Sequence, residues 1–202
     1  MPLLNRQAVV RQGAYLPHWT TEDAIYHVVF RLADSLPANV VARFRFEQEI
    51  LLNSAAWDHL STAEIDSRLR NLFSDRIESV LDRGSGVCWL ARDEIAALTS
   101  QALRHFDGLR YALHAWCIMP NHVHVIVQPA DGHTLPAILK SWKGFIAHEA
   151  NRLLSRAGQF WQPEYYDHLI RSEVGLAQTI RYLQANPTGA RLVNWPWVWP
   201  SP

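Results

Sequence analysis

The stretch of sequence that decides the fold is residues 115–128, AWCIMPNHVHVIVQ. Residues 109–118 are rich in strand-forming side chains, and the Met-Pro-Asn of residues 119–121 is typical of a turn. Residues 122–128 then alternate like a second strand. We therefore predict a β-hairpin and, with it, an antiparallel sheet.

The chain on either side of this hairpin predicts further strands and helices. Runs of β-branched and aromatic residues predict strands, and apolar residues at helical spacing predict helices. The predicted strands are 24–32 and 165–171, and the predicted helices are 38–55, 61–81 with Ser61 as its N-cap, 92–106, a long helix capped by Thr134 that ends near Gly158, and 173–185 with Asn186-Pro187 at its end. Residues 1–20 and the Trp- and Pro-rich tail predict no regular structure.

The order of these elements predicts an α+β fold. With residues 38–108 treated as a helical elaboration after the first strand, the order is the ferredoxin-like split βαβ with a further helix at the C-terminal end. The length of 202 residues suits one domain, 1–202. Its core is predicted at 24–36 and 109–190, with the tail at 191–202.

The composition excludes several classes of protein. Hydrophobic residues make up 49% of the chain and charged residues 19%, which is too apolar for a disordered chain. No stretch is long and apolar enough for a transmembrane helix, so we expect no membrane partner. The N-terminal residues lack the order of a signal peptide, and Cys88 and Cys117 are too few for a disulfide framework. We therefore expect a cytoplasmic protein.

The charge balance gives two opposing indications about nucleic acid. Lys+Arg and Asp+Glu both number 19, and a formal net charge of zero is unusual for a nucleic-acid-binding domain. The cations are nevertheless almost all arginine, the better donor to phosphate. The C-terminal half is modestly basic, whereas the predicted elaboration carries compensating acids: Glu47, Glu49, Glu64, Asp66, Asp75, Glu78 and Asp82. Any affinity for nucleic acid is therefore expected to come from a local Arg/Lys face.

The pair His122 and His124 is the clearest candidate for a metal site. Side chains two apart on a strand point to the same face, and two imidazoles on one face can chelate a divalent metal. The alternation of Val123, Val125 and Val127 indicates a well-packed strand, which is a rigid platform for a site. The alternative is that both histidines lie on a solvated strand face.

A second candidate group is Tyr182 and Asn186, which lie one helical turn apart and share a face. Leu176, Ile180 and Leu183 form the predicted core stripe of this helix, and Tyr182 and Asn186 flank it. A flanking phenol and amide are free to face a cleft. The alternatives are that Tyr182 is an edge-of-core aromatic and that Asn186 caps a following turn.

Four segments together resemble the HUH single-tyrosine transposases, most closely the REP-associated tyrosine transposases. They are YHVVFR at 26–31, AWCIMPNHVH at 115–124, FWQPEYYDHLIR at 160–171 and YLQANP at 182–187. They occur in the family's order and cover a little under half of the chain. The H-x-H pair alone is weak, but the combination is specific.

The resemblance implies a ferredoxin-like domain in which His122, His124 and Asn186 bind the metal and Tyr182 is the nucleophile. It also implies a metal-dependent strand transferase that cleaves and rejoins single-stranded or hairpin DNA through a covalent 5′-phosphotyrosine. Mg²⁺ or Mn²⁺ suits two imidazoles and an amide oxygen. Tyr165 and Tyr166 do not occupy the family's nucleophile position.

The DNA-binding surface and the assembly are less closely defined by the sequence. Lys140 and Lys143 on one predicted helix, and Arg171 and Arg181 beside the Tyr182 helix, are candidate DNA contacts. A monomer and a homodimer both fit the sequence. Two alternative functions remain open: a domesticated hairpin-binding protein that does not transpose, and a metal hydrolase that would not need Tyr182.

Overall fold

The structure is a computed structural model that describes residues 9–12, 17–20, 24–37, 39–43, 46–47 and 76–200. Its strands are β1 (Val9–Gln12), β2 (Pro17–Thr20), β3 (Ile25–Arg31), β4 (Tyr111–Ile118), β5 (His122–Pro129), β6 (Tyr166–Ile170) and β7 (Val198–Trp199). Its helices are a short 3₁₀ helix (Trp89–Ala91), α1 (Asp93–Arg104), α2 (Leu135–Leu153) and α3 (Glu173–Gly189), and residues 76–81 are also helical.

A five-stranded antiparallel sheet with the order β6-β3-β5-β4-β7 forms the centre of the fold. The predicted hairpin is β4–β5, and β5 inserts between β4 and β3. The helices α1 and α2 each connect two strands of the sheet and pack against each other. This is the split-βαβ arrangement, so the predicted α+β, ferredoxin-like fold is confirmed.

The two faces of the sheet bury different residues because side chains alternate along each strand. One face carries the larger core, in which Phe30 and Val125 pack with Trp142 of α2. The other face carries a smaller apolar cluster that includes Ile126 and Leu183 of α3. The histidines of β5 alternate with its core valines and therefore face α3.

Helix α1 lies within residues 38–108, the segment predicted to be a helical elaboration. Its side chains Ile95, Ala96 and Leu103 belong to the larger core beneath α2. The segment 38–108 therefore includes a helix of the core layer. Of the predicted helix 38–55, the structure describes residues 39–43 and 46–47, which are helical. Ser61, the predicted start of the helix at 61–81, lies outside the described residues.

Three regions differ from the sequence predictions. Residues 1–20 were expected to be irregular, but β1 and β2 pair as an antiparallel hairpin. The helix predicted to end at Asn186-Pro187 continues to Gly189. Pro187 has no N–H to bond the carbonyl of Leu183, but the helix continues beyond it, and the carbonyls of Asn186 and Pro187 accept bonds from Ala190 and Leu192.

The C-terminal tail also differs, because two of its residues form a strand. Val198 and Trp199 pair with Cys117 and Trp116 at the edge of the sheet. The prolines that flank this pair stay outside the ladder, where a missing N–H costs little. The indole of Trp195 donates to the carbonyl of Ile118 at 2.7 Å, so this tail tryptophan is bonded to the end of β4.

None of the helices in the described part of the chain combines the length and the apolar character that a membrane span requires.

Candidate active site

The two histidines of β5 lie together on the sheet face beneath α3. Both side chains are fully buried, so the solvated-face alternative is wrong. Their Nε2 atoms are 2.9 Å apart, and the ring centroids are separated by 4.8 Å. Burial lowers the pKa of His122 to about 3, and burial, with the neighbouring imidazoles, places the pKa of His124 well below its usual value. Both rings are therefore neutral at physiological pH.

Asn121 fixes the orientation of the His122 ring. Its amide nitrogen donates to the carbonyls of Leu81 and Ser85, both at 3.0 Å, so its Oδ1 faces the ring. This oxygen lies 2.7 Å from Nδ1 of His122 and accepts the ring proton. The Nε2 atom of His122 then carries a lone pair, which is the state that a metal ligand needs.

His27 of β3 plays the same part for His124. Its Nε2 atom is 3.1 Å from Nδ1 of His124, and the two rings stack with centroids 5.3 Å apart. Burial, with a smaller contribution from His168, lowers the pKa of His27 to about 3. A neutral partner on Nδ1 leaves Nε2 of His124 to face His122 and Asn186.

Helix α3 brings the two remaining predicted residues to the histidines. Leu183 anchors the helix, with Leu176 and Ile180 packed beside it, as the predicted core stripe requires. Asn186 is buried, and its amide lies 3.2 Å from Nε2 of His124. The alternative role of Asn186 as the cap of a following turn is wrong, because Asn186 and Pro187 lie inside α3.

Tyr182 lies over the histidines at the edge of the site. Its ring centroid is 6.0 Å from that of His124 and 6.3 Å from that of His27. The side chain is 40% exposed, so the phenol is open to solvent on one side. Its hydroxyl donates to Oε2 of Glu78 at 2.6 Å. Burial, followed by the bond to Glu78, raises the pKa of Tyr182 above its usual value, while a bond from Asn186 opposes this shift.

The donor set at this site fits a divalent cation. Among the described residues, no group of three or more His, Cys, Asp or Glu side chains is placed to hold a metal, so the set consists of two imidazoles and an amide. When both rings carry their proton on Nδ1, the two Nε2 lone pairs, 2.9 Å apart, are placed to bind one cation. Metal–nitrogen bonds of about 2.1 Å place adjacent ligands about 3 Å apart, which agrees with this spacing.

The predicted DNA contacts are found in different surroundings. Lys140, Arg171 and Arg181 are exposed. Lys143 instead donates to the carbonyls of Gln162 and Pro163, both at 2.7 Å. Burial lowers the pKa of Lys143 to about 8. Three of the four side chains are therefore exposed to solvent, whereas the ammonium group of Lys143 binds the backbone at Gln162 and Pro163.

Comparison with known proteins finds a family that this part of the chain resembles. Residues 92–186 match the model of the IS200-like transposases. The matched segment begins at α1 and ends at Asn186, and it contains His122, His124 and Tyr182. The transposase resemblance seen in the sequence is therefore confirmed.

Two curated proteins of Haemophilus influenzae (strain ATCC 51907 / DSM 11121 / KW20 / Rd) are similar to this chain. The first, provisionally named a REP-associated tyrosine transposase, is 25% identical over 119 residues, which cover 52% of this chain and 66% of that protein. The second, which has no assigned function, is 29% identical over 92 residues, which cover 35% of this chain and 51% of that protein. The matches thus span a half to two thirds of these relatives.

A solved structure shares the fold. It is a REP-associated tyrosine transposase bound to a REP hairpin, and it superposes with a TM-score of 0.51 at 13% identity. The alignment covers 90% of this chain and 79% of that chain.

Sequence reasoning missed the residues that support the predicted ones. His27 and Arg31 lie on β3, and Arg31 stands opposite His122 in the register with β5. His27 and Arg31 were visible as polar residues in an otherwise apolar strand, but their partners depend on the strand register. Glu78 carried no motif at all, and only the packing of the helical residues 76–81 brings it to Tyr182.

Proposed function

We propose that this protein is a divalent-metal-dependent DNA strand transferase that cleaves and rejoins single-stranded or hairpin DNA through a covalent 5′-phosphotyrosine on Tyr182. The observation that carries the proposal is the convergence of a phenol from α3 with two neutral histidines from β5. The ring centroids of Tyr182 and His124 are 6.0 Å apart. A hydrolase that used only the histidines would not need this phenol.

The residues proposed to hold the metal are His122, His124 and Asn186. The donors would be the unprotonated Nε2 atoms of the two histidines and the side-chain amide oxygen of Asn186. This oxygen would face the metal once the amide rotates about the Cβ–Cγ bond. Mg²⁺ or Mn²⁺ bound there would neutralise charge on the scissile phosphate and stabilise its transition state. His27 and Asn121 would keep the two rings in the correct tautomer.

Tyr182 would act as the nucleophile towards the phosphorus atom. A bond forms between its phenolic oxygen and phosphorus, and the bond from phosphorus to the 3′ oxygen breaks. The product is a 5′-phosphotyrosine and a strand with a free 3′-OH. Because water does not enter, the energy of the phosphodiester is kept, and another 3′-OH can reverse the step and reseal the strand.

We propose that the substrate is hairpin or single-stranded DNA and that the protein acts on it in the cytoplasm. The structure that shares this fold is that of a transposase bound to a REP hairpin. The exposed cations Lys140, Arg171 and Arg181 would supply phosphate contacts. The protein would act as a monomer or a homodimer.

The experiment that tests the proposal is formation of a covalent protein–DNA adduct. The wild-type protein is incubated with labelled hairpins taken from the palindromes that flank its gene, with Mg²⁺ or Mn²⁺, and the products are separated on a denaturing gel. We expect an adduct that EDTA suppresses and that Tyr182→Phe abolishes.

Tyr165→Phe and Tyr166→Phe are the matched controls, because each removes one phenolic hydroxyl elsewhere in the same domain. Both are expected to form the adduct. An adduct that persists in Tyr182→Phe would move the nucleophile elsewhere. Binding of the hairpin without any adduct would favour the domesticated hairpin-binding protein.

A further inference from the structure

The hydroxyl of Tyr182 is held by an acid from a distant part of the chain. Glu78 lies in the helical residues 76–81, 104 positions away in sequence, and its Oε2 accepts the phenolic proton at 2.6 Å. The carboxylate belongs to the crossover between β3 and α1, outside the residues 92–186 that match the transposase family.

We propose that Glu78 is the proton acceptor for Tyr182, which makes it a catalytic residue of the strand transfer. The inference rests on the proposed function, because it assumes that Tyr182 attacks phosphorus. A general base must lie about 2.6–3.2 Å, measured between heavy atoms, from the atom whose proton it removes. The distance of 2.6 Å between Glu78 Oε2 and the Tyr182 hydroxyl oxygen meets this requirement before DNA binds. With its proton directed at Glu78, the phenolic oxygen has a lone pair that can attack the phosphorus atom.

The neighbouring histidines are not suited to this task. Nδ1 of His122 faces Asn121, and its Nε2 faces His124. Nδ1 of His124 faces His27, and its Nε2 faces Asn186 as well as His122. Both rings therefore have their nitrogens engaged within the site, whereas the carboxylate of Glu78 is already bonded to the nucleophile.

The helix that carries Glu78 is fixed to the site. Leu81, three residues further along, is buried, and its carbonyl accepts a bond from the amide of Asn121. The same amide orients His122 through its oxygen. The position of Glu78 over Tyr182 is thus set by a residue that also sets the histidine pair.

The proposed step balances as follows. The phenolic oxygen of Tyr182 bonds to phosphorus while its proton passes to Glu78, and the electron pair of the breaking P–O bond leaves with the 3′ oxygen. That oxygen takes a proton from water. On resealing, the attacking 3′-OH gives its proton to water as it bonds to phosphorus, and protonated Glu78 returns its proton to the departing phenolate.

A carboxylate beside the nucleophile also repels the phosphate that must approach it. Removing its charge should therefore leave DNA binding unchanged or make it tighter, while it slows the chemistry. This opposite effect on binding and rate separates a proton acceptor from a residue that only contributes to the DNA surface.

The test compares Glu78→Gln, Glu78→Ala and Glu78→Asp with the wild type. The readouts are the single-turnover rate of adduct formation at saturating hairpin and the dissociation constant from fluorescence anisotropy without metal. Glutamine keeps an oxygen acceptor for the Tyr182 hydroxyl but does not take its proton. We expect Glu78→Gln and Glu78→Ala to be at least about 100-fold slower, with binding as tight or tighter, and Glu78→Asp to recover part of the rate. Glu94→Gln, an exposed acid of α1 paired with Arg92, should match the wild type.

Two results would overturn the inference. A wild-type rate in Glu78→Gln with a slow Glu78→Ala would show that Glu78 only positions the phenol. A faster rate in either variant would show that it blocks the site. Circular dichroism checks the fold, and Glu78→Asp keeps the carboxylate if the larger changes disturb it. Absence of any Tyr182-dependent adduct in the wild type would instead contradict the proposed function.

Discussion

At the scale of single residues, a buried imidazole is useful to a metal only when it is neutral and its lone pair faces the site. His122 and His124 meet the first condition because burial lowers their pKa values. Asn121 and His27 supply the second by occupying the two Nδ1 atoms. The two rings are therefore already neutral and oriented for a cation, although both are buried.

Replacing His122 and His124 together by alanine should abolish binding of Mn²⁺, because it removes both nitrogen donors. Titration calorimetry with MnCl₂ measures the loss, and circular dichroism checks that the double variant is folded. His133→Ala, which changes an exposed histidine in the loop before α2, is the matched control and should bind Mn²⁺ like the wild type. Unchanged binding in the double variant would contradict the assignment of the metal site.

At the scale of elements, α3 is the part of the fold that assembles the site. It covers the smaller apolar cluster with Leu183, and the same turn carries Tyr182 and Asn186 to the histidines. The helix has few other buried side chains, namely Asn186 and Pro187. Its position thus depends strongly on one leucine.

Leu183→Ala should lower the free energy of unfolding by about 2–5 kcal/mol, since it leaves a cavity under a fully buried side chain. It should also reduce the yield of the DNA adduct because Tyr182 is no longer held over His124. Val174→Ala on the same helix removes an exposed side chain and should change stability by less than about 0.5 kcal/mol. Urea unfolding measures both. Equal effects of the two substitutions would show that α3 is not anchored through Leu183.

At the scale of the whole molecule, the neutral net charge conceals where the charges lie. The acids of the crossover were expected to balance the basic C-terminal half, but one of them, Glu78, accepts a hydrogen bond from Tyr182. Arg171, just before α3, and Arg181, on α3, are exposed. The ammonium group of Lys143 is instead bonded to two backbone carbonyls. The predicted DNA contacts therefore differ in what they are free to do.

The double variant Arg171→Gln, Arg181→Gln should weaken binding of the hairpin and reduce the slope of log K against log salt by about 1.4, about 0.7 for each lost contact with a single strand. Lys143→Gln should leave that slope unchanged and destabilise the fold by about 1 kcal/mol, because two carbonyls lose a donor. Fluorescence anisotropy over a salt series and thermal melting separate the two effects. A reduced slope in Lys143→Gln would show that this ammonium contacts phosphate.

Much of the fold was predictable because its information is local. Apolar alternation in β5, the turn at residues 119–121 and the helical stripe of α3 each lie within a short window, and strand and helix periods can be read there. Two predictions were wrong: the tail depends on non-local pairing, and the end of α3 depends on the backbone donors that follow it. Val198 and Trp199 become a strand only because β4 offers a free edge, and Pro187 stays helical because later backbone donors satisfy the end of α3.

The sequence by itself determined the order of elements, the shared face of His122 and His124, and the shared face of Tyr182 and Asn186. These follow from periods of two and 3.6 residues, which belong to the chain and not to its packing. Only the tertiary structure decided that the two pairs meet, that His27 and Asn121 contact the two rings, and that Glu78 binds the hydroxyl of Tyr182. Those contacts join β3, β5, α3 and the crossover, so they exist only once strand register and helix packing bring distant residues together.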